Sequence, residues 1–155
     1  MSYTPPISVK VASNDTSFAN TLVTTNEDAI VLNCPPGTMN NDGDAIQYNS
    51  RGTTVANANA KSISFAINSV AFLVNSAYAN PNNKEWEVNV VIQRLSTSEC
   101  SVYARIHFNG VVEQSDLTIF TLTNFNTTTV ELKLIFNAGA IGDIGTNGGF
   151  ITKLI

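Results

Sequence analysis

Apolar and polar residues alternate along most of this chain, and turn signals interrupt the alternation roughly every 8–12 residues. The clearest case places four apolar side chains on one face of a strand, namely Trp86, Val88, Val90 and Ile92. A repeat of two residues is typical of a strand with one face in a core. No stretch keeps the 3.6-residue period of an amphipathic helix. The pattern therefore predicts an all-β protein.

Apolar, alternating or β-branched segments give roughly ten predicted strands. They cover residues 7–11, 18–25, 29–34, 45–51, 63–67, 70–74, 86–92, 102–108, 117–123 and 130–136, and residues 150–155 form an apolar end. Turns are predicted at Pro35–Gly37, Asp42–Gly43, Asn68–Ser69 and Asn109–Gly110. The glycine-rich residues 142–149 are predicted to be a hairpin or loop.

Short strands in this number, with turns between them, predict a single all-β domain that is a sandwich or a jelly roll. We assign residues 13–155 to this one domain and residues 1–12 to an N-terminal arm or attachment segment. Pro5 and Pro6 cannot enter a sheet interior. Together with Tyr3 they are the candidate attachment residues.

The composition narrows the possible partners. Only 13% of the residues are charged and the net charge is −4, so the chain has no long-range attraction for phosphate backbones and nucleic acid is not an expected partner.

The N-terminus lacks the basic start and apolar core of a signal peptide. No apolar run reaches the roughly 20 residues that span a bilayer. We expect a protein made in the cytoplasm, without membrane insertion.

One succession of segments resembles a pattern of tailed-bacteriophage structural proteins. It comprises the Gly43-Asp44 turn, the segment Gly52–Lys61 that contains Asn57 and Asn59, and a strand that Trp86 opens and Arg94 ends. The likeness extends from Gly37 to Ile155. Two departures are Ala60, where the pattern often has Asn, and Ala66-Ile67-Asn68, which replaces a Gly-Gly pair.

The resemblance implies a jelly-roll sandwich that assembles as a homotrimer on a virion. Its expected partners are other capsid or tail proteins, as a capsid decoration or as a short head or tail fibre. The alternative is a receptor-binding fibre tip that recognises bacterial surface glycans.

Apolar residues on both faces of single strands predict burial between subunits. The candidate interface residues are Val70, Phe72, Val74 and Val91.

The loop after the strand at residues 70–74 contains one aromatic ring and several amides, which could bind a sugar. The same composition is also typical of a plain connection between strands. The candidate glycan or partner contacts in this loop are Tyr78, Asn80, Asn82 and Asn83.

No pattern indicates catalysis, a cofactor or a metal ion. His107 lies in a strand without a nucleophile motif beside it. Glu85, Glu87 and Glu99 could form a glycosidase pair, but exposed positions around Trp86 explain the first two.

Other candidate ligands also have simpler explanations. Asn40, Asp42 and Asp44 could supply oxygen ligands to Ca²⁺, but their spacing favours a turn built from their side chains. Cys34 and Cys100 are predicted to be buried free thiols rather than a disulfide or a zinc site. We expect a non-enzymatic protein.

Overall fold

The computed structural model of the chain describes residues 8–75, 84–109, 111–122 and 126–155. The described residues form eleven strands and no helix, which confirms the all-β prediction. The strands are β1 (Ser8–Asn14), β2 (Phe18–Ala19), β3 (Glu27–Cys34), β4 (Ala45–Thr54), β5 (Lys61–Ile67), β6 (Val70–Asn75), β7 (Glu85–Arg94), β8 (Glu99–Phe108), β9 (Val111–Thr121), β10 (Val130–Ala138) and β11 (Ile144–Leu154).

The strands form two antiparallel sheets that pack against each other. The larger sheet has the order β1-β11-β4-β7-β8-β9, with the short β2 beside β11, and the smaller sheet has the order β3-β10-β5-β6. In the larger sheet Ser8 pairs with Leu154 at one corner. The alternating residues of both sheets point into one shared core, as expected of a β-sandwich.

The centre of this core is aromatic. Trp86 of the larger sheet meets Phe136 of the smaller sheet edge-on, with ring centroids 5.6 Å apart. Tyr48 and Phe65 form a second contact between the sheets at 4.9 Å. The inward register predicted for the strand that begins at Trp86 is confirmed, because Trp86 is only 2% exposed and Val88, Val90 and Ile92 are fully buried.

Two of the predicted turns connect strands as expected. Asn68 and Ser69 both have positive φ angles, 47° and 68°, and they connect β5 to β6 as a tight hairpin. Phe108 pairs with Val111 across the connection between β8 and β9. The hairpin predicted at this position is confirmed.

The loop predicted for residues 142–149 is wrong in its extent, because β11 begins at Ile144. The glycines do not indicate a long loop here. They allow other backbone segments to approach β11 closely. At Gly148 φ is +101°, and a Cβ atom there would lie 2.4 Å from the carbonyl oxygen of Asn14. Only glycine fits between β11 and β1 at this point.

The strand predicted over residues 18–25 is also wrong in extent, since only Phe18–Ala19 is a strand. After Ala19 the side chain of Asn20 makes hydrogen bonds in place of the backbone pairing of a strand. Its Nδ2 donates to the carbonyls of Leu22 and Ala140, and its Oδ1 accepts from the backbone N–H of Ile144.

The boundary predicted at residue 12 lies inside β1, which pairs with β11 along its length. Residues 8–12 therefore belong to the sandwich. The candidate attachment residues Tyr3, Pro5 and Pro6 lie outside the described residues, and an attachment role for them stays a prediction.

Candidate functional site: the outer face of the larger sheet

The larger sheet has a second face that points away from the core. We call it the outer face and define it by the outward side chains of β4, β7, β8, β9 and β11. They include Asn49, Arg51, Glu85, Glu87, Asn89, Val91, Tyr103, Arg105, His107, Leu117, Ile119 and Phe150.

The charged end of the outer face is built by strand register. Arg51 of β4 is opposite Glu87 of β7, and Glu87 is opposite His107 of β8. Glu85 lies two residues before Glu87 and shares its face, as the sequence predicted. Both glutamates are exposed, in agreement with the simpler explanation. Opposite charges in neighbouring strands attract each other modestly at a surface.

Two adjoining pockets cross this charged end. One has a volume of about 260 Å³ and is lined by Arg51, Glu85, Glu87 and His107, among others. The second has a volume of about 470 Å³, shares Arg51 and Glu87 with the first, and extends to Phe150. We call the two pockets together the groove. The second pocket alone has the volume of a small-molecule site.

The middle of the outer face contains amide and guanidinium groups with few partners. Asn89 Nδ2 donates to Asn49 Oδ1 at 2.6 Å, and the guanidinium of Arg105 lies 5.1 Å from the ring centroid of Tyr103. Among the described residues, the buried atoms Asn89 Oδ1, Arg105 Nε and His107 Nε2 have no hydrogen-bond partner. Buried polar atoms nearly always have one, so this face offers bonding capacity to water or to another molecule.

An apolar strip occupies the far edge of the outer face. We define it as Tyr103, Leu117 and Ile119. Leu117 is 70% exposed and Ile119 is 69% exposed, and register places Leu117 beside Tyr103, with Val91 on the other side of Tyr103. Large apolar side chains this exposed and this close together are typical of contact surfaces.

The structure does not bring the predicted interface residues together. Val70 is exposed at the start of β6 in the smaller sheet, whereas Val91 is half-buried on β7 in the larger sheet. The side chains of Phe72 and Val74 lie outside the described part of the chain. A role for these four residues in an interface stays a prediction.

The loop predicted to contact glycans also lies outside the described residues. It contains Tyr78, Asn80, Asn82 and Asn83. The structure therefore places none of them relative to the groove. The sequence did not predict the groove, because its lining residues come from β4, β7, β8, β11 and the connection after β1. Only the sheet order brings these segments together.

The two cysteines are free and buried, which confirms the favoured interpretation of them. Burial raises the pKa of the Cys100 thiol to about 12. Burial also raises the pKa of the Cys34 thiol, against smaller opposing effects of Thr38 and Lys153. Because the thiolate is the reactive form, neither side chain is suited to act as a nucleophile near neutral pH.

The acidic turn at residues 40–44 is held by donors from the protein. The Asp44 carboxylate accepts hydrogen bonds from the backbone N–H groups of Asn40 and Asn41 and from Lys153 Nζ. Asp42 pairs with Arg94 at 3.1 Å. Both carboxylates therefore stabilise the turn, as the sequence favoured.

Comparison with protein-family models, with curated proteins and with solved structures finds no match to this chain. Across the described ranges, no helix has the length and apolar character needed to cross a bilayer.

Proposed function

We propose that this chain is a structural protein of a bacteriophage virion, a homotrimeric jelly-roll module that decorates the capsid or forms a short head or tail fibre. The proposal rests on the resemblance carried by the Gly43-Asp44, Asn57–Lys61 and Trp86–Arg94 segments. It also rests on the outer face. In this proposal the protein is made in the host cytoplasm and functions on the virion.

The strand connections support the jelly-roll assignment. The chain passes repeatedly from one sheet to the other, so strands far apart in sequence become neighbours. β11 lies between β1 and β4 in the larger sheet, and β10 lies between β3 and β5 in the smaller sheet. Interleaving of the first and last strands is typical of a double Greek key.

The observation that carries the trimer proposal is the apolar strip. Burying Leu117 and Ile119 against another copy would remove from water two side chains that are now about 70% exposed. The same face holds both signs of charge, with Arg51 and Arg105 near Glu85 and Glu87, so copies of one chain can pair their opposite charges. The occupant that we propose for the apolar strip is therefore a second copy of the chain.

We propose that the protein acts by contact rather than by catalysis. The buried cysteines are poor nucleophiles, and Glu85 and Glu87 are exposed rather than held in an apolar site that would raise a carboxyl pKa. Three copies on one scaffold repeat each weak contact. Such repetition can raise avidity by about 10²–10⁴ without any new interaction.

Light scattering on the purified chain should give a particle of three 16.6 kDa subunits. Replacing both Leu117 and Ile119 with Asp should lower the mass to that of the monomer while the circular dichroism of the sheets is kept, because the new charges would be buried unpaired in the interface. Ile141→Asp is the matched control, since Ile141 is also 70% exposed but lies outside the outer face. A parent chain that stays monomeric at micromolar concentration would contradict the proposal.

The second candidate function is glycan recognition, and the groove favours it. A partly exposed aromatic ring at Phe150 lies beside carboxylate, guanidinium and amide groups, which are the groups that stack on and bond to sugars. If the groove binds the receptor, Phe150→Ala should abolish adsorption to host cells and leave the oligomer unchanged.

Tyr78→Ala tests the loop that the sequence indicated, in the same adsorption assay. Adsorption that is lost only with Tyr78→Ala would assign recognition to that loop. Adsorption that survives both changes would leave decoration or assembly as the function. Release of reducing sugar from host polysaccharide, lost on replacing Glu85 or Glu87, would contradict the non-enzymatic proposal.

A further inference from the structure

A buried lysine and a buried aspartate lie close together, yet they are linked through a neutral side chain. Lys61 begins β5 and is 3% exposed, and Asp143 precedes β11 and is 2% exposed. Asn57, from the connection between β4 and β5, contacts both of them. Full burial of both charges is costly unless each has close partners.

The oxygen and the nitrogen of the Asn57 side-chain amide have different partners. Its carbonyl oxygen accepts a hydrogen bond from Lys61 Nζ at 2.6 Å and a second from the backbone N–H of Asn59 at 3.0 Å. Its nitrogen donates to Asp143 Oδ1 at 2.5 Å. The amide is thus polarised at the oxygen by donors, and its nitrogen is held against a carboxylate.

This arrangement places the Lys61 amino group in contact with the carbonyl oxygen of the Asn57 amide. The carbon of the Asn57 amide is one bond, about 1.2 Å, from the oxygen that Lys61 Nζ already contacts. Holding two reacting groups together in the right geometry can raise a rate by many orders of magnitude. Lysine amines are established nucleophiles towards carbonyl carbons.

We propose that Lys61 and Asn57 form an intramolecular isopeptide bond. The Lys61 Nζ–Asn57 Cγ bond forms, and the Asn57 Cγ–Nδ2 bond breaks. The ammonium of Lys61 gives up two protons and the departing nitrogen takes up two, so an ammonium ion leaves and the total charge is unchanged. No oxidant or other co-reactant is needed.

The neighbouring groups have distinct parts in this step. The Asp143 carboxylate, which contacts the departing nitrogen, takes up the protons that the Lys61 ammonium releases and passes them to that nitrogen. The backbone N–H of Asn59 stabilises negative charge on the carbonyl oxygen, as a donor in an oxyanion hole does. The product would close residues 57–61 into a ring, independently of the oligomeric state and of any partner.

The experiment is the mass of the full chain after denaturation. The expected mass is lower than that of the encoded sequence by one ammonia molecule. Trypsin should then fail to cleave after Lys61, and the peptide that runs from Gly52 to Lys84 should fragment outside residues 57–61 but not between them.

Cyclisation of an asparagine before glycine also releases ammonia, and Asn109-Gly110 and Asn147-Gly148 are such sites. Mild alkali opens that product with addition of water, whereas the isopeptide persists. An ammonia loss that disappears in alkali, with normal cleavage after Lys61, would overturn the proposal.

Variants separate the reacting groups. Lys61→Arg keeps the positive charge but should restore the full encoded mass, and Asp143→Asn should slow or abolish the ammonia loss. Lys84→Arg is the matched control and should retain it. If the variants do not fold, the parent chain still decides the question, because a parent with the full encoded mass and normal cleavage after Lys61 overturns the proposal.

Discussion

Replacing Trp86 with Ala is expected to lower the free energy of unfolding by about 3–5 kcal/mol, the usual cost of removing a large core side chain. The ring is 2% exposed and contacts Phe136 of the opposite sheet edge-on at 5.6 Å. On its other side it lies against Gly52, where a Cβ atom would be 2.5 Å from Trp86 Cζ2. Both contacts are lost when the ring is removed, and the backbone at Gly52 cannot fill the cavity.

Urea denaturation followed by circular dichroism measures this loss, at one protein concentration because assembly would add to the apparent stability. Trp86→Phe should cost less, since it fills part of the space. Phe150→Ala is the control for an exposed aromatic residue. If the unfolding midpoints of Trp86→Ala and the parent coincided, the inward register of β7 would be wrong.

Arg94→Ala is expected to cost a similar amount, about 3–5 kcal/mol, although it removes no part of the apolar core. The side chain is 4% exposed at the end of β7, and its guanidinium holds the preceding turn and a neighbouring connection. Its acceptors are the backbone carbonyls of Met39, Asn40 and Ser96 and the side chains of Asp42 and Asn126. Without Arg94, the buried carbonyl oxygen of Met39 and the partly buried contacts to Asn40 and Ser96 would lose their donor.

Two variants test which of these bonds matter. Arg94→Lys keeps the charge but cannot reach all the acceptors, so its loss should be intermediate. Asp42→Asn should cost less than about 1 kcal/mol, because the Asp42 side chain is 64% exposed and water replaces its partner. A loss for Asp42→Asn as large as that for Arg94→Ala would show that the ion pair, which both variants remove, rather than the carbonyl contacts stabilises the turn.

The sequence predicted most of the strands because a period of two residues reports directly which positions face a core. It failed where side chains or tight packing override that period. Asn20 replaces strand pairing with side-chain bonds, and Gly148 permits a strand in a segment whose composition is that of a loop. Neither effect depends on a local repeat.

The candidate site was less predictable for a different reason. In residues 117–120 the alternation of apolar and polar side chains is weak. Leu117 and Ile119 lie on one face of β9, and the equally apolar Phe120 lies on the other. Which face is covered depends on the other sheet, so the exposure of the apolar strip appears only in the fold. The groove likewise depends on β11 lying beside β4, which pairs residues almost one hundred positions apart.

The pairing of Ser8 with Leu154 brings the first and the last described strands together. Both positions lie at one corner, on the edge strand β1 and its neighbour, and the apolar strip lies near the opposite edge. Five strand spacings, about 24 Å, separate β1 from β9. A group attached at Ser8 or Leu154 would therefore lie at this corner, away from the strip. A linker between residues 154 and 8 would have little distance to cover, which makes this sandwich suited to circular permutation.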